Sequence, residues 1–188
     1  TQVEVFLANV QTKNVIGVTG TKGKGTTSTL IAKMLKAAGK DVRLGGNIGI
    51  PPLSFIDELN ETSYVVLELS SFQLMNVTHS PHIAVCLMVV PEHLNWHANM
   101  DEYVWAKSQL FAGQNSDDVA IYAGFNDVST HIANAGGGKK VAFGTPDGEG
   151  AHVKEDTIWI DSVEICKTNE LALLGAHNQQ NACAAVTA

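Results

Sequence analysis

The residues between Gly17 and Ile31 combine the groups that bind phosphate. The stretch reads GVTGTKGKGTTSTLI, with four glycines, two lysines and a run of hydroxyl side chains. Glycines allow backbone N–H groups to turn inward around phosphate oxygens, and the positive end of a following helix faces the same place. A lysine here reaches the terminal phosphates of a nucleotide. We therefore predict a nucleotide-binding loop made of Gly20, Thr21, Lys22, Gly23, Lys24, Gly25, Thr26 and Thr27.

This loop departs from the common pattern GxxxxGK followed by Ser or Thr. Gly25 follows Lys24, the hydroxyls come at Thr26 and Thr27, and Val18 stands where the pattern has its first glycine. A plain tight turn would not explain two lysines among glycines. Many unrelated proteins carry such loops, so the loop predicts a nucleotide but not a reaction. Its lysine pair is also similar to the loop of partitioning-type ATPases, so a nucleotide switch and a biosynthetic enzyme both stay open at this point.

The pattern of apolar residues predicts the elements that position this loop. Short β-rich runs indicate buried strands at residues 15–19, 40–44, 64–69, 83–90, 119–122 and 141–143. Helical patterns begin at Thr26, ending near Gly39, and at residues 101–111, 127–135 and from 177 onward. Strands that alternate with helices predict an α/β fold, a mostly parallel sheet with helices on both faces, P-loop NTPase-like. After the turn-rich TPDGEG, the run HVKEDTIWIDSVEI predicts a small antiparallel β element.

Composition excludes several functions. The 188 residues carry a net charge of −7, which argues against a broad nucleic-acid surface. No run of 18 apolar residues is present, so we expect no membrane span. The odd number of cysteines, three without a CxxC, indicates reduced thiols in a cytoplasmic protein. The aromatic residues Trp96, Tyr103 and Trp105 are interpreted as packing.

Four further stretches carry polar side chains after predicted strands or at the start of helices. They read GGNIG (45–49), ELSSFQL (68–74), PEHLNWH (91–97) and GAHNQQN (175–181). In this order they resemble the central ATP-binding domain of the Mur ligases, over nearly the whole chain. ELSSFQL points to the D-glutamate-adding member of that family. The loop with Gly25 after Lys24 also resembles the folylpolyglutamate synthases, relatives that do not carry ELSSFQL.

The resemblance implies an ATP-dependent amide ligase in peptidoglycan precursor synthesis, and so a part in cell-wall formation, cell shape and cell division. ATP would convert the carboxylate of UDP-N-acetylmuramoyl-L-alanine to an acyl phosphate, which the amine of D-glutamate would attack. The implied cofactors are ATP and Mg²⁺, and the implied partners are small molecules, with no nucleic acid and no membrane. We expect a monomer. We also expect residues 1–188 to be an isolated central domain, without the UDP-binding and amino-acid-binding domains and inactive alone.

The resemblance also assigns catalytic and metal-binding roles. Lys24, His93 and Lys107 match catalytic positions, and Lys107 matches a lysine that the family carbamylates. The implied metal ligands are Thr26, Glu68, His93 and Lys107. Glu68 ends a buried strand, so a salt bridge or a helix cap is an alternative for it, and a solvated helix lysine is the alternative for Lys107. A zinc site at His93 and His97 is disfavoured because no glutamate lies between them.

The remaining implied roles concern the substrate and the adenine. Neutral amides and hydroxyls orient anions without neutralising them, and the substrate-side positions are Asn47, Ser70, Ser71 and Gln73. Asn178 and Asn181 match positions near the adenine, where an amide can pair with the donor–acceptor edge of the base. A helix N-cap is an alternative role for Asn178.

Overall fold

Six short strands lie parallel in one sheet at the centre of the protein. The computed structural model describes residues 1–92, 96–173 and 175–188. The strands are β1 (Val15–Thr19), β2 (Val42–Gly46), β3 (Tyr64–Glu68), β4 (Ile83–Cys86), β5 (Val119–Ala123) and β6 (Lys139–Phe143). Their spatial order is β2-β3-β1-β4-β5-β6, so β1 lies in the interior of the sheet between β3 and β4.

Helices cover both faces of this sheet, and a small second sheet follows it in sequence. The helices are α1 (Gln2–Asn9), α2 (Lys24–Ala37), α3 (Ser71–Leu74), α4 (Met100–Ala112), α5 (Asp127–Ala133) and α6 (Ala176–Thr187). Two 3₁₀ segments span Pro52–Glu58 and Thr168–Glu170. Three antiparallel strands, β7 (His152–Lys154), β8 (Thr157–Ile160) and β9 (Val163–Lys167), form the second sheet. The α/β prediction, with its antiparallel element, is confirmed.

The alternation of side chains along the strands divides the apolar core in two. On β3, Val65 and Leu67 belong to one cluster, which also holds residues of α1, α4 and α5. Val66 belongs to the cluster on the other face, with residues of α2, α6 and β8. Both faces of a parallel sheet are therefore covered, as its near-continuous apolar strands require.

The end of β4 differs from the sequence prediction, which carried this strand to Val90. The observed strand ends at Cys86. Beyond it, the Leu87 N–H donates to Thr19 O at 2.9 Å and the Thr21 N–H donates to Met88 O at 3.0 Å. The apolar run after Cys86 thus leaves the sheet and pairs with the loop that follows β1.

Helix α1 was not predicted, and it is fixed to the domain by apolar and polar contacts. Val3 and Phe6 are buried in the core, where the Phe6 ring meets the Phe55 ring edge to face at 5.9 Å. The Glu4 carboxylate accepts hydrogen bonds from the Thr78 N–H at 2.8 Å, the Thr78 hydroxyl at 2.6 Å and His79 Nδ1 at 2.8 Å. These bonds tie α1 to the segment that precedes β4.

In the part of the chain that the structure describes, none of the helices combines the length and the apolar character needed to cross a membrane.

The Glu4 contacts predict an acid dependence of stability. Partial burial raises the pKa of Glu4, but the hydrogen bonds from Thr78 and His79 outweigh it and lower the pKa from 4.5 to about 2. A lowered carboxylate pKa stabilises the folded state above pH ~4.5, and this contribution is lost as the pH falls towards ~2. We expect Glu4→Gln to lower the free energy of unfolding at pH 6 and to leave it nearly unchanged near pH 2. Chemical unfolding at both pH values measures this, with Glu61→Gln at an exposed glutamate as control. An equal loss at both pH values would contradict it.

Candidate functional site

The loop after β1 lies at the carboxyl edge of the parallel sheet, where ligands of open α/β sheets bind. It covers residues 20–23 and leads into α2, whose first residue is Lys24. The Lys24 ammonium folds over the loop and donates hydrogen bonds to Thr21 O at 2.8 Å and to Gly20 O at 3.1 Å. Burial lowers the pKa of Lys24, while Glu68 and Glu92 act in the opposite direction. The predicted loop and its lysine are therefore in place at the start of a 14-residue helix.

Gly23 is required by its backbone conformation and by its neighbour. Its φ of +88° lies in the left-handed region that glycine favours. A Cβ at this position would also overlap Asn181 Oδ1. Asn181 is buried, and its side-chain N–H donates to Asn178 Oδ1 at 3.2 Å. Helix α6 therefore presses its amide side chain against the loop, and the structure brings both predicted asparagines to this side.

Glu68 brings a buried carboxylate to the same edge. Its side chain is 4 % exposed, and Oε1 accepts a hydrogen bond from Asn47 Nδ2 at 2.9 Å. The other oxygen, Oε2, is buried and has no hydrogen-bond partner among residues 1–92, 96–173 and 175–188. A Cβ at Gly25 would lie only 3.0 Å from Oε2, so the glycine that departs from the common pattern gives α2 a close approach to this carboxylate.

Hydroxyl side chains also follow one another at the start of α2. Thr27 Oγ1 and Ser28 Oγ are buried and lack a hydrogen-bond partner within the described residues. Thr26, the predicted metal ligand, is half-buried. A buried polar atom without a partner costs free energy, so an oxygen-binding cation at this edge would relieve Glu68 and its neighbours.

Lys107 extends from α4 to the same loop. It is 1 % exposed, its ammonium donates to Gly20 O at 2.9 Å, and it lies 4.4 Å from the centre of the Tyr103 ring. The alternative of a solvated helix lysine is therefore wrong. Burial is the main cause that lowers the pKa of Lys107 to about 7. Cys86 and Glu92 oppose this shift, whereas the charge of nearby Lys24 acts in the same direction as burial. An amine with this pKa is neutral in a large fraction of molecules at neutral pH.

A polar network that sequence reasoning missed joins α4 to the loop. The Thr21 hydroxyl donates to Val90 O at 3.1 Å, accepts from the Val90 N–H at 3.0 Å and lies 3.2 Å from the Tyr103 hydroxyl. Tyr103 was interpreted as packing, and it is buried as expected, but its hydroxyl also contacts the loop. The spacing of Tyr103 and Lys107, one helical turn apart, was the signal that could have joined them.

The predicted substrate-binding residues of ELSSFQL form hydrogen bonds with other residues of the protein. The Ser70 hydroxyl and the Gln73 side chain form a capping box at the start of α3, in which Gln73 Oε1 accepts from the Ser70 N–H at 3.0 Å. The Ser71 hydroxyl lies 2.9 Å from Nε2 of buried His97. These bonds fix the turn that follows Glu68, and the substrate roles of the three residues stay predictions.

The predicted roles of His93 lie outside the described residues, and so does any zinc site at His93 and His97. Within the described ranges, no group of three or more His, Cys, Asp or Glu side chains is placed to hold a metal ion by itself. Asn178 does not serve as the N-cap of α6, because Gly175 occupies that position.

A small cleft of about 70 Å³ opens beside the loop, on the side of α6. Its lining is partly apolar and partly polar, formed by Lys22, Gly23, Leu87, Met88, Phe125, Phe143, His177, Gln180 and Asn181. The cleft begins at the phosphate loop and therefore lies where the rest of a bound nucleotide would extend.

A parallel α/β domain with a glycine- and lysine-containing loop at its carboxyl edge and a buried carboxylate beside it has the architecture typical of nucleotide-binding proteins. The family model described as Mur ligase middle domain matches residues 18–188. The chain belongs to this family.

Curated relatives are similar along the whole chain. UDP-N-acetylmuramoylalanine--D-glutamate ligase of Acetivibrio thermocellus is 42% identical over 193 residues, covering 100% of this chain and 41% of that protein. The enzyme of the same name from Clostridium kluyveri is 38% identical over 189 residues, with 100% and 41% covered. The chain thus spans about two fifths of the length of these relatives.

Solved structures share the fold. MurF from Acinetobacter baumannii superimposes with a TM-score of 0.73 at 24% identity, covering 97% of this chain and 43% of that one. The UDP-N-acetylmuramate:L-alanyl-gamma-D-glutamyl-meso-diaminopimelate ligase from Neisseria meningitides gives 0.72 at 20% identity, with 97% and 63% covered. E. coli FolC in complex with DHPP and ADP gives 0.59 at 18% identity, with 98% and 55% covered.

The burial of Lys107 predicts a pH dependence of stability. Because its folded pKa of about 7 lies below the reference 10.5, the unfolded state binds more protons between these values, and the free energy of unfolding rises with pH there. Lys107→Met removes this contribution. In bicarbonate-free buffer, we expect wild type to gain on the order of 4 kcal/mol relative to the variant between pH 7 and 10.5. Denaturant unfolding at both pH values measures the difference, and Lys36→Met at an exposed lysine of α2 is the control. A wild-type-to-variant difference that does not change with pH would contradict this.

Proposed function

We propose that this chain is the ATP-binding part of a ligase that adds D-glutamate to UDP-N-acetylmuramoyl-L-alanine in peptidoglycan precursor synthesis. The observation that carries the proposal is the convergence of Lys24, Lys107 and the half-paired carboxylate of Glu68 at one loop. The relatives that match the whole chain at 38–42% identity bear the name of this ligase. ELSSFQL, which points to the same member, supplies Glu68 and the α3 turn.

The nucleotide assigned to the loop is ATP. Its phosphates would be held by backbone N–H groups of residues 22–25, at the N-terminus of α2. Lys24 would exchange its bonds to loop carbonyl oxygens for bonds to the β- and γ-phosphates. The adenine would extend towards Asn178 and Asn181. A solved MurF from Thermotoga maritima, which shares the fold, is described as a complex with ADP.

The residues at the carboxyl edge fit Mg²⁺. Glu68 Oε2 is a buried acceptor without a partner in the described ranges, and Mg²⁺ prefers such oxygen ligands. Glu68 would hold the ion together with a hydroxyl of α2, that of Thr26 or Thr27, and the family assignment adds His93 and Lys107. The bound ion would supply positive charge between two anions that repel one another, the γ-phosphoryl group and the substrate carboxylate.

The chemistry then needs orientation and charge neutralisation from the protein. Lys24 would neutralise the γ-phosphoryl group as the substrate carboxylate attacks it, and the carboxylate becomes an acyl phosphate while ADP leaves. The amine of D-glutamate would attack the acyl carbon and expel phosphate. Asn47, Ser70, Ser71 and Gln73 are the proposed substrate-side contacts. The hydrogen bond from Asn47 to Glu68 supports a role for Asn47 next to the proposed metal ligand.

Lys107 is proposed to act as a carbamate. Its neutral Nζ would add to the carbon of CO₂ and release a proton to solvent, which converts a cation into an anionic oxygen ligand. Burial lowers the pKa of Lys107 to about 7, so the amine that reacts is well populated at neutral pH. A bare ammonium at this place would repel both Mg²⁺ and the neighbouring Lys24.

The carbamate predicts a spectroscopic signal. After incubation with ¹³C-bicarbonate and Mg-ATP at pH 7.5, we expect a ¹³C NMR resonance of a lysine carbamate. Lys107→Gln should abolish it, whereas Lys36→Gln should leave it intact. A resonance that persists in Lys107→Gln would assign the carbamate to another lysine and contradict the role proposed here.

A second candidate function is a folylpolyglutamate synthase-type ligase. Gly25 after Lys24 favours it, since the folylpolyglutamate synthases share that loop, and the fold likeness to FolC is consistent with it. ELSSFQL and the names of the relatives favour the D-glutamate ligase. A P-loop ATPase switch would hydrolyse ATP slowly without either substrate.

We also propose that residues 1–188 act as the ATP-binding domain of a cytoplasmic, monomeric enzyme and ligate little or nothing by themselves. Mur ligase chemistry uses an acceptor and an amino acid as well as ATP, and domain closure assembles such sites around their substrates. Appreciable ligation by the 188 residues alone would contradict this.

The test of the function is a chimera. These 188 residues replace the matching 41% of the Acetivibrio thermocellus relative, and phosphate release from Mg-ATP is followed with UDP-N-acetylmuramoyl-L-alanine and D-glutamate, singly and together. We expect release only when both are present. Release with a folate and L-glutamate instead would favour the second candidate, and slow release independent of both pairs would favour the switch.

Lys24→Ala in the same chimera tests whether the loop holds the reacting phosphates. Because it removes a major stabiliser of transition-state charge, we expect the rate to fall by about 10²–10³, or ~3–4 kcal/mol. Lys36→Ala, at the exposed last turn of α2, should leave the rate unchanged. A loss under tenfold for Lys24→Ala would show that the loop does not hold the reacting phosphates.

A further inference from the structure

The cleft beside the phosphate loop has the composition of a site for a flat heteroaromatic ring. Gly23 and Asn181 form the end next to the loop, and Phe125 and Phe143 are among the apolar residues that line it. Phe125 is 45% exposed although its ring packs edge to face on Phe143 at 6.2 Å. An exposed ring beside an apolar cleft offers a face on which a base can stack.

Gln180 supplies an unused polar group in this cleft. Its Oε1 is buried and lacks a hydrogen-bond partner among the residues that the structure describes. Such an atom is destabilising unless a partner reaches it. The terminal torsion of a glutamine side chain is broad and soft, so the carboxamide can turn its oxygen and its N–H₂ group towards a ligand without moving α6.

Phe125 and Gln180 both lie against Gly144, which has no side chain. Its φ is +79°, and a Cβ there would overlap Gln180 Oε1 and lie 2.6 Å from Phe125 Cε1. The ring and the amide therefore lie against the same backbone position at the end of β6. Recognition of one base requires an aromatic face for stacking and, next to it, a group that both donates and accepts hydrogen bonds.

We propose that Gln180 sets the base preference of the nucleotide site, with its carboxamide paired to the adenine edge and Phe125 stacked on the base. The inference rests on the proposed function, since it concerns the nucleotide of that same site. A glutamine pairs bidentately with adenine, accepting from the N6 amino group and donating to a ring nitrogen. Guanine presents two acceptors, O6 and N7, on the corresponding edge, so the same pair of bonds cannot form.

The neighbouring glutamine provides a matched control. Gln179 is half-buried on the same helix and lines a different groove, together with residues such as Asp156 and Lys167. The same substitution at Gln179 and at Gln180 therefore makes an equal chemical change in α6, but only one of the two changes the cleft beside the loop.

The test is calorimetric titration of the chain with Mg-ATP, Mg-GTP and inorganic tripolyphosphate. We expect wild type to prefer ATP, and Gln180→Leu to weaken ATP binding by about tenfold while leaving GTP and tripolyphosphate binding unchanged. Gln180→Glu, which only accepts, should weaken ATP binding and strengthen GTP binding, because guanine offers N1–H and N2–H₂ donors. Gln179→Leu should change none of the three, and thermal unfolding checks that each variant is folded.

Two outcomes overturn the inference and leave the proposed function standing. In the first, wild type binds ATP and GTP with equal affinity and also binds tripolyphosphate. The other is a Gln180→Leu variant that loses affinity for ATP and GTP alike, which would give Gln180 a purely structural role. Failure of wild type to bind tripolyphosphate and either nucleotide would overturn the proposed function as well.

Discussion

The carbonyl oxygen of Gly20 is the point on which the site depends, because two lysines from different helices, half-buried Lys24 and buried Lys107, donate to it. Lys24 reaches it from the start of α2 at 3.1 Å, and Lys107 reaches it from α4 at 2.9 Å. Two ammonium groups that share one acceptor repel each other. Loss of a proton from one of them, or an anion nearby, therefore stabilises the arrangement. The loop thus concentrates positive charge in a place where burial makes that charge costly. An anion beside Lys24, or conversion of Lys107 to the proposed carbamate, would remove this cost.

Glu68 offsets part of the same charge from the adjacent strand. Parallel pairing sets Val18 beside Glu68, so the register of β1 and β3 brings the carboxylate to the level of the loop. Asn47, which follows β2, holds one of its oxygens. The three groups that carry the proposed chemistry, Lys24, Glu68 and Lys107, therefore come from three elements, α2, β3 and α4. Such a rigid frame suits a reaction in which positioning and electrostatics do most of the work.

The local sequence pattern was sufficient to predict the parallel sheet, the helices that cover it and the glycine-containing loop after β1. The VIGVT strand, the glycines and the helical pattern after Thr26 are consecutive in the chain, and their periodicity determines the elements directly. It was not sufficient for contacts between distant segments. The bond of Glu4 to Thr78, the contact of Thr21 with Tyr103 and the support of Gly23 by Asn181 each join residues more than 70 positions apart. Likewise, apolar residues 87–90 had the pattern of a strand, but β4 ends at Cys86, and the backbone of Leu87 and Met88 bonds to the end of β1 and the loop after it.

The placement of Asn181 against Gly23 has a consequence for the order in which the protein acquires its site. The loop comes directly before α2, which begins at Lys24, whereas the helix that contacts it spans Ala176–Thr187, far later in the sequence. During synthesis, residues 20–27 therefore leave the ribosome long before α6 does, and the side of the loop that Asn181 contacts stays uncovered until α6 docks. Contacts of such long sequence separation form late and slowly. Any function that needs the contact between Gly23 and Asn181 would therefore appear only after α6 has docked.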